Sequence, residues 1–363
     1  MRKIGIIGAG QLGRMLALSG YPLGLRFVFL DKSADAPGGQ VGDIILGAFD
    51  DAAKLAELAD KVDALTFDVE NVPVEPLREI TKHTPFNPPL DALATAQDRL
   101  LEKNLFRHLG LKTTDFIAVN SLAELEKAVG NIGLPAVLKT RRLGYDGKGQ
   151  RVLRTQADIA PAFEALGDVP LILENFIEFD CEVSIIAVRS TTGEQAFYPL
   201  SHNTHRDGIL RVSVAPYDDN NLQTQAERYA NDLMQHFNYA GVLTIEFFVK
   251  DGELIANEIA PRVHNSGHWT IEGAITSQFE NHIRAILGLP LGDTNARGYA
   301  AMVNFIGTMP GVEQVLAIRG AHHHDYGKSP RPGRKLGHST LTADSKQALD
   351  EKLKTVLSLV TTD

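Results

Sequence analysis

Two glutamates, Glu246 and Glu258, fall on what the segment VLTIEFFVKDGELIANEIAPRVHNSGH (242–268) makes consecutive strands, and Arg262, His264 and Asn265 follow within seven residues of the second. Carboxylates on neighbouring strands suit a Mg²⁺ ion held against nucleotide phosphates, because hard cations take oxygen ligands and Mg²⁺ shares its shell with substrate phosphate. The guanidinium, imidazole and amide beside them offer donors to an anion. The chemistry this spacing points to is an ATP-dependent reaction at an anionic group.

Strand parity decides whether the two carboxylates can meet. Asp251-Gly252 marks the hairpin turn. A two-residue loop pairs Lys250 with Glu253 and Glu246 with Asn257, which sends Glu258 to the opposite face. A three-residue loop pairs Glu246 with Ala256 and returns Glu258 to the same face. A shared metal therefore requires the odd loop or an equivalent bulge, with Gly252 in the left-handed position. Without it the segment is an edge hairpin with two solvated glutamates.

The second chemical feature is GYDGKGQ at 144–150. Its glycines Gly144, Gly147 and Gly149 let backbone N–H groups approach phosphate oxygens, and Lys148 adds charge. The Walker A pattern is absent, and the loop joins two expected strands, where a flap over a nucleotide would sit and exclude water. It belongs to a basic stretch in which Lys139, Arg141, Arg142, Lys148, Arg151 and Arg154 face one acid, Asp146. Lys328, Arg331, Arg334 and Lys335 form a second, wholly basic run. Solvated faces usually mix the two signs, so these loops read as grips for small phosphorylated molecules.

These groups need a scaffold. KIGIIG (3–8), the turn GAGQLG (8–13), a helix through Met15 and Leu16, and RFVFLD (26–31) ending in Asp31 give strand, glycine turn, helix, strand, acid. That order opens a parallel sheet and, alone, would also fit an NAD-dependent oxidoreductase. Further strands are expected at 44–46, 63–67 and 84–86, closing the region near residue 95. A helix spans 98–111. Strands at 116–119 and 135–140 flank a helix begun by Ser121 with Glu124 in capping-box spacing. Strands at 151–154 and 171–176 follow. An antiparallel sheet is expected over 181–216, a helix at 222–237, the glutamate hairpin, a helix near 270–287, a strand at AMVNFIG and a last helix from about Asp344.

Composition excludes several classes. The chain has 363 residues, 44% hydrophobic and 22% charged, which implies two or three soluble α/β domains. A net charge of −9 argues against a nucleic-acid surface, and no apolar run is long enough for a bilayer. The basic start is broken by glycines, Gln11 and Arg14, so it reads as a buried strand and not a secretory signal. A single cysteine, Cys181, suits a reducing cytoplasm.

Lys139 on a strand, GYDGKGQ, the run from Glu174 to Ile177, Glu182 and the pair Glu246/Glu258 follow the order of the ATP-grasp fold. More narrowly, GAGQLGRML, FDVENVP, GYDGKGQ, FIEFDCEVS, NTHRDGIL, NEIAPRVHNSGH and GRKLGH resemble the N5-carboxyaminoimidazole ribonucleotide synthetase family, nearly end to end. The formate-dependent glycinamide ribonucleotide transformylases are a neighbouring family that the last two motifs fit less well. The resemblance implies an α/β ATP-grasp protein with a Rossmann-like N-terminal domain over 1–98, a small subdomain with the flap over 99–178, and a large subdomain with the metal site and a C-terminal lid region over 179–363. It implies MgATP phosphorylating bicarbonate to carboxyphosphate, whose carboxy group passes to the amine of 5-aminoimidazole ribonucleotide. It also implies two Mg²⁺ ions and a homodimer.

The same resemblance distributes the roles. Arg99, Lys139, the loop Gly144, Tyr145, Asp146, Gly147, Lys148, Gly149 and Gln150, the hinge Glu174, Asn175, Phe176 and Ile177, and Glu182, His205 and Asn257 should line the nucleotide pocket. Glu246 and Glu258 would bridge Mg²⁺. Arg262, His264 and Asn265 would form the bicarbonate site, with His264 a proton acceptor because an imidazole titrates near working pH. Asp146 would orient the substrate amine, and Lys148, Arg334 and Lys335 its phosphate. Some members carry arginine where this chain has Lys148, which forgoes a bidentate fork.

Each residue also has a plainer explanation. His205 could be a capped turn residue, and Arg262 a surface charge. His322, His323 and His324 resemble a metal run, but neighbours on a strand alternate faces and cannot all converge. Trp269, Phe247 and Phe248 read as core, and Tyr145 could stack on substrate or shield the loop. Besides the ligase, an oxidoreductase using GAGQLG and a non-catalytic nucleotide sensor on the same fold remain open.

Overall fold

The computed structural model describes residues 2–144, 147–167 and 169–360, in three sheets. The first has the order β3-β2-β1-β4 and is parallel throughout: β1 Lys3–Ile7, β2 Arg26–Asp31, β3 Asp43–Leu46 and β4 Ala64–Phe67. Its central strands are covered on both faces, which is why they read as unbroken apolar runs. The strand expected at 84–86 is not formed. Leu65 instead donates to the Pro85 carbonyl and accepts from the Asn87 amide, because Pro85 has no N–H for a longer ladder.

The second sheet, order β5-β8-β6-β7, is antiparallel: β5 Phe116–Val119, β6 Ala136–Thr140, β7 Gln150–Leu153 and β8 Leu171–Asn175. Helices Leu122–Ile132 and Ile159–Leu166 cover one face around Leu125, Val129, Leu138 and Leu173. Ser121 caps the first helix by accepting from Glu124 N. The return bond is displaced by one residue, since the Glu124 carboxylate accepts from Asn120 N.

The third sheet carries nine strands: β9 Cys181–Arg189, β10 Gln195–Phe197, β11 Ser201–Arg206, β12 Ile209–Ala215, β13 Gly241–Lys250, β14 Glu253–Ala260, β15 Tyr299–Ile306, β16 Ala321–Asp325 and β17 Lys335–Ala343. Their order is β14-β13-β9-β11-β12-β15-β17-β16, with β10 beside β9. The C-terminal strands therefore extend the sheet that bears the glutamate hairpin. Helix Asn220–His236 packs Ala226, Tyr229 and Leu233 onto the β9/β13 face. The single helix expected near 270–287 is two, Thr270–Gly273 and Gln278–Ile286. Ala274 breaks it by turning extended, and Ser277 caps the second piece. That second helix shares a core with Gln11–Gly20, which locks the first sheet onto the third. Trp269 lies fully buried there.

Candidate active site

The hairpin resolves the parity question through a bulge. Lys250 pairs with Glu253 across a two-residue loop in which Asp251 (φ 51°) and Gly252 (φ 74°) are both left-handed, so the odd loop does not form. The register then shifts between Glu246 and Phe247: Phe247 faces Ala256, while Glu246 faces Glu258 directly, with Asn257 the extra residue. The two carboxylates thus lie side by side on one wall of a cleft of about 760 Å³.

Cations from two other elements converge on this pair. Arg99, at the start of helix Arg99–His108, reaches Glu258 at 3.2 Å. Asp98 caps that helix and holds Arg141 through two bonds of 3.0 and 2.6 Å, tying it to the end of β6. Lys139 on β6 donates to Glu174 on β8 at 3.0 Å, and buried Lys103 approaches the same carboxylate at 3.7 Å. Burial opposes the Glu174 charge, but Lys103 and Lys139 outweigh it and hold the carboxyl down at about 2. Burial opposes the Glu258 charge too, yet Arg99 and Lys139 keep its carboxyl below the ordinary value. At Glu246 the opposing cations, His205 and Lys335, are outweighed. Burial, then the charge of Glu258, push it up to about 7.

A carboxylate pair strained in this way is relieved by a divalent cation. Among the described residues no cluster of three or more His, Cys, Asp or Glu is arranged for an ion by itself. The donor set therefore fits Mg²⁺ that draws its remaining ligands from phosphate oxygens and water.

Beyond β14 the chain supplies the anion-facing groups. Arg262 pairs with Glu70 at 3.0 Å, and its Nη1 donates to the Val263 carbonyl. Asn265 exchanges amide bonds of 3.0 and 2.7 Å with Asn304. His264 lies on the same wall. Burial, then Arg262 and Lys335, push its imidazole well below the usual range. Its Nδ1 accepts from Ser266 N at 3.3 Å, which leaves the proton of the neutral ring on Nε2, 3.7 Å from Glu246. The neutral ring thus presents Nε2 to the cleft. His205 is no plain turn residue: it contacts Glu182 at 3.0 Å, and although burial disfavours its charge, Glu182 and Glu246 raise it.

The cleft brings together Arg99, Lys139, Glu182, His205, Asn257 and Lys335 with the glutamate pair and Arg262, His264 and Asn265. Gly144, Gly147, Lys148 and Gln150 form its flap wall. Tyr145 and Asp146 lie outside the described residues. Gly149, Glu174, Asn175, Phe176, Ile177 and Arg334 do not line it. The Glu174 side chain is turned inward to the lysines, and Asn175 and Ile177 line a separate cavity of about 310 Å³. Arg334 donates to the Ser329 carbonyl, because the basic loop folds back on itself. Of the aromatic pair, Phe247 is core, but Phe248 faces the cleft and stacks on Phe179 at 4.7 Å. His324 stacks on His338 and His323 lies against Phe305, so these neighbours diverge as strand alternation requires.

Several cleft residues escaped the sequence reading. Asp68 and Glu70, within FDVENVP, extend the wall from the first sheet. Asp68 also decides the meaning of GAGQLG. Its Oδ2 accepts from Gly13 N at 3.0 Å, and a Cβ on Gly8 (φ +93°) would lie 1.9 Å from its Oδ1. Asp31 accepts from Ala9 N. Internal carboxylates thus take the turn that a dinucleotide's pyrophosphate needs. Glu102, which lines the cleft, and Lys103, which is buried outside it, were also missed; their signal was two charges on the face of an amphipathic helix that turns inward.

A cation-lined cleft under a glycine flap, with paired carboxylates on an antiparallel hairpin, defines an ATP-grasp ligase, and residues 104–279 match the ATP-grasp domain. Residues 1–97 match the ribonucleotide synthetase preATP-grasp domain, and 300–352 the phosphoribosylaminoimidazole carboxylase C-terminal domain. The chain is 53% identical to the N5-carboxyaminoimidazole ribonucleotide synthase of Pseudomonas aeruginosa over 99% of each chain. It superposes on the crystal structure of the Thermus thermophilus synthetase with a TM-score of 0.96, at 53% identity and 99% of each chain. An Aspergillus clavatus synthase solved with ADP and 5-aminoimidazole ribonucleotide matches at a TM-score of 0.92 and 31% identity, over 99% of this chain and 98% of that one. The chain belongs to the N5-carboxyaminoimidazole ribonucleotide synthase family.

Proposed function

We propose that the cleft carries out ATP- and bicarbonate-dependent carboxylation of the exocyclic amine of 5-aminoimidazole ribonucleotide in purine synthesis. A bicarbonate oxygen takes the γ-phosphoryl group of ATP, giving carboxyphosphate and ADP. The substrate amine then forms a bond to the carboxy carbon as phosphate leaves and the nitrogen loses a proton. The observation that carries this reading is the direct Glu246–Glu258 pairing beside Arg99, Lys139, Arg262 and His264. The names of the relatives and the ADP and ribonucleotide of the Aspergillus complex support the substrates.

Phosphoryl transfer needs mainly alignment and charge neutralisation. Lys139 and Arg99 meet the nucleotide phosphates, and a charge pair at 4 Å contributes about 4 kcal/mol at an effective dielectric near 20. Glu246 and Glu258 would hold two Mg²⁺ ions, which neutralise the transferring phosphoryl charge. Arg262 and Asn265 orient bicarbonate, and His264 donates its Nε2–H to the oxyanion. Glu182 takes the ribose hydroxyls, with His205 beside it. Asp146 orients the substrate amine, and Lys148 and Lys335 take its phosphate. The flap shields carboxyphosphate from water.

No helix among the described residues is long and apolar enough to cross a membrane, and the single cysteine supports a cytoplasmic site of action. Assembly as a homodimer rests on the family resemblance and is checked by sedimentation. The reaction is tested by ADP release that depends on both bicarbonate and aminoimidazole ribonucleotide. Silence in that assay with ATP still bound favours a nucleotide sensor.

A further inference from the structure

β14 is the edge of the nine-stranded sheet, so its outward backbone groups have no strand partner. In a regular edge strand the outward amides recur every second residue. Here they are three apart: Ala256 N donates to the Lys112 carbonyl at 2.7 Å, and Ile259 N donates to Glu102 Oε1 at 2.6 Å. The two residues between are Asn257 and Glu258, the bulge itself. The Ala256 carbonyl is held as well, by Thr113 Oγ1 at 2.7 Å and Lys103 Nζ at 3.3 Å. Both ends of the bulge are therefore pinned from outside the hairpin.

Lys112 and Thr113 follow a helix that supplies the other pins. Arg99, Glu102 and Lys103 occupy positions i, i+3 and i+4 of helix Arg99–His108 and so lie on one face. The first meets the Glu258 carboxylate, the second the amide after it, and the third the carbonyl before the bulge. Glu102 and Lys103 are 2% and 0% exposed, so the face is built into the core.

We propose that Glu102, with Thr113 and Lys103, is a positioning residue: it fixes the β14 bulge so that Glu258 is turned onto the face of Glu246. The inference rests on the reading of that pair as a divalent-cation site. Were the bulge to relax into the register dictated by the two-residue turn, Asn257 would face Glu246 and Glu258 would point away. Glu102 touches neither nucleotide phosphate nor the transferred carboxy group in this scheme; it acts through the backbone of Ile259.

The test uses the full chain with Mn²⁺ as the probe, its binding followed by electron paramagnetic resonance beside a non-hydrolysable ATP analogue, and amide exchange read over 256–259. Glu102→Leu is expected to weaken Mn²⁺ about tenfold or more, as loss of an orienting partner does, and to speed exchange at Ile259. Glu102→Gln, whose carbonyl still accepts from Ile259 N, is expected to restore both. A role in stability alone would lower the unfolding midpoint of Glu102→Leu without moving the Mn²⁺ constant of the folded protein, and that result overturns the inference. If Glu102→Leu does not fold, Thr113→Val decides, since it removes the bond to the Ala256 carbonyl together with the one that Thr113 Oγ1 accepts from Lys103: severalfold weaker Mn²⁺ supports the proposal and an unchanged constant refutes it. Glu258→Gln is the control. If it too binds Mn²⁺ like the wild type, the cation site is elsewhere; if it alone loses Mn²⁺, the site stands and the positioning role falls.

Discussion

Replacing Glu246 by glutamine is expected to stabilise the cation-free protein while removing its activity. Burial and the facing Glu258 charge raise the Glu246 carboxyl from an ordinary 4.5 to about 7. A displacement of that size corresponds to at most about 3 kcal/mol of ionisation cost in the fold, relative to the unfolded chain. The folded state holds the proton more tightly, so wild-type stability falls as pH rises from about 4.5 and levels off above about 7. Glutamine has no proton to lose. The variant should match the wild type near pH 4.5 and exceed it by up to about 3 kcal/mol near pH 8. Urea unfolding in a chelator at both pH values measures this. Added Mg²⁺ with an ATP analogue should then stabilise the wild type and not the variant. A difference that is flat with pH, or a variant less stable at pH 8, would refute the claim that the two carboxylates repel each other in a desolvated cleft.

Glu258→Gln should abolish ADP release while circular dichroism and the unfolding midpoint stay near wild type; loss of soluble protein with no specific catalytic defect would contradict its metal role. Glu174→Ala leaves the Lys103 and Lys139 ammonium groups in the interior without their carboxylate, and should destabilise by about 3–5 kcal/mol in denaturant unfolding. Because Asp68 fills the glycine turn, calorimetric titration with NADH should show no binding. Gly8→Ala, which combines a positive φ with a 1.9 Å approach to Asp68, should cost at least about 1–3 kcal/mol by the same unfolding measurement.

Much of the site was written in local pattern. The strands of the first sheet, the flap between β6 and β7, and the order of Lys139, Glu182, Glu246 and Glu258 along the chain follow from alternation, glycine spacing and charge, which depend only on near neighbours. The turn Asp251-Gly252 was equally legible, since both positions need left-handed backbone. What that turn could not say was how the pairing continues. Local chemistry favours a two-residue loop, and that loop alone would have separated the carboxylates. The bulge that reunites them is held by groups 157 and 143 positions away in sequence, Glu102 on Ile259 and Thr113 on Ala256. The proton state of His264 was likewise unreadable, because it depends on burial and on Arg262, Lys335 and Ser266 meeting around one ring. Asp68 gave GAGQLG the opposite meaning from the motif by filling its turn from the end of the neighbouring strand β4. The residue types and their order set which chemistry was available to this chain. Which side chains face one another, and in which charge state, depended on long-range packing, because desolvation and edge-strand hydrogen bonds exist only once distant segments meet.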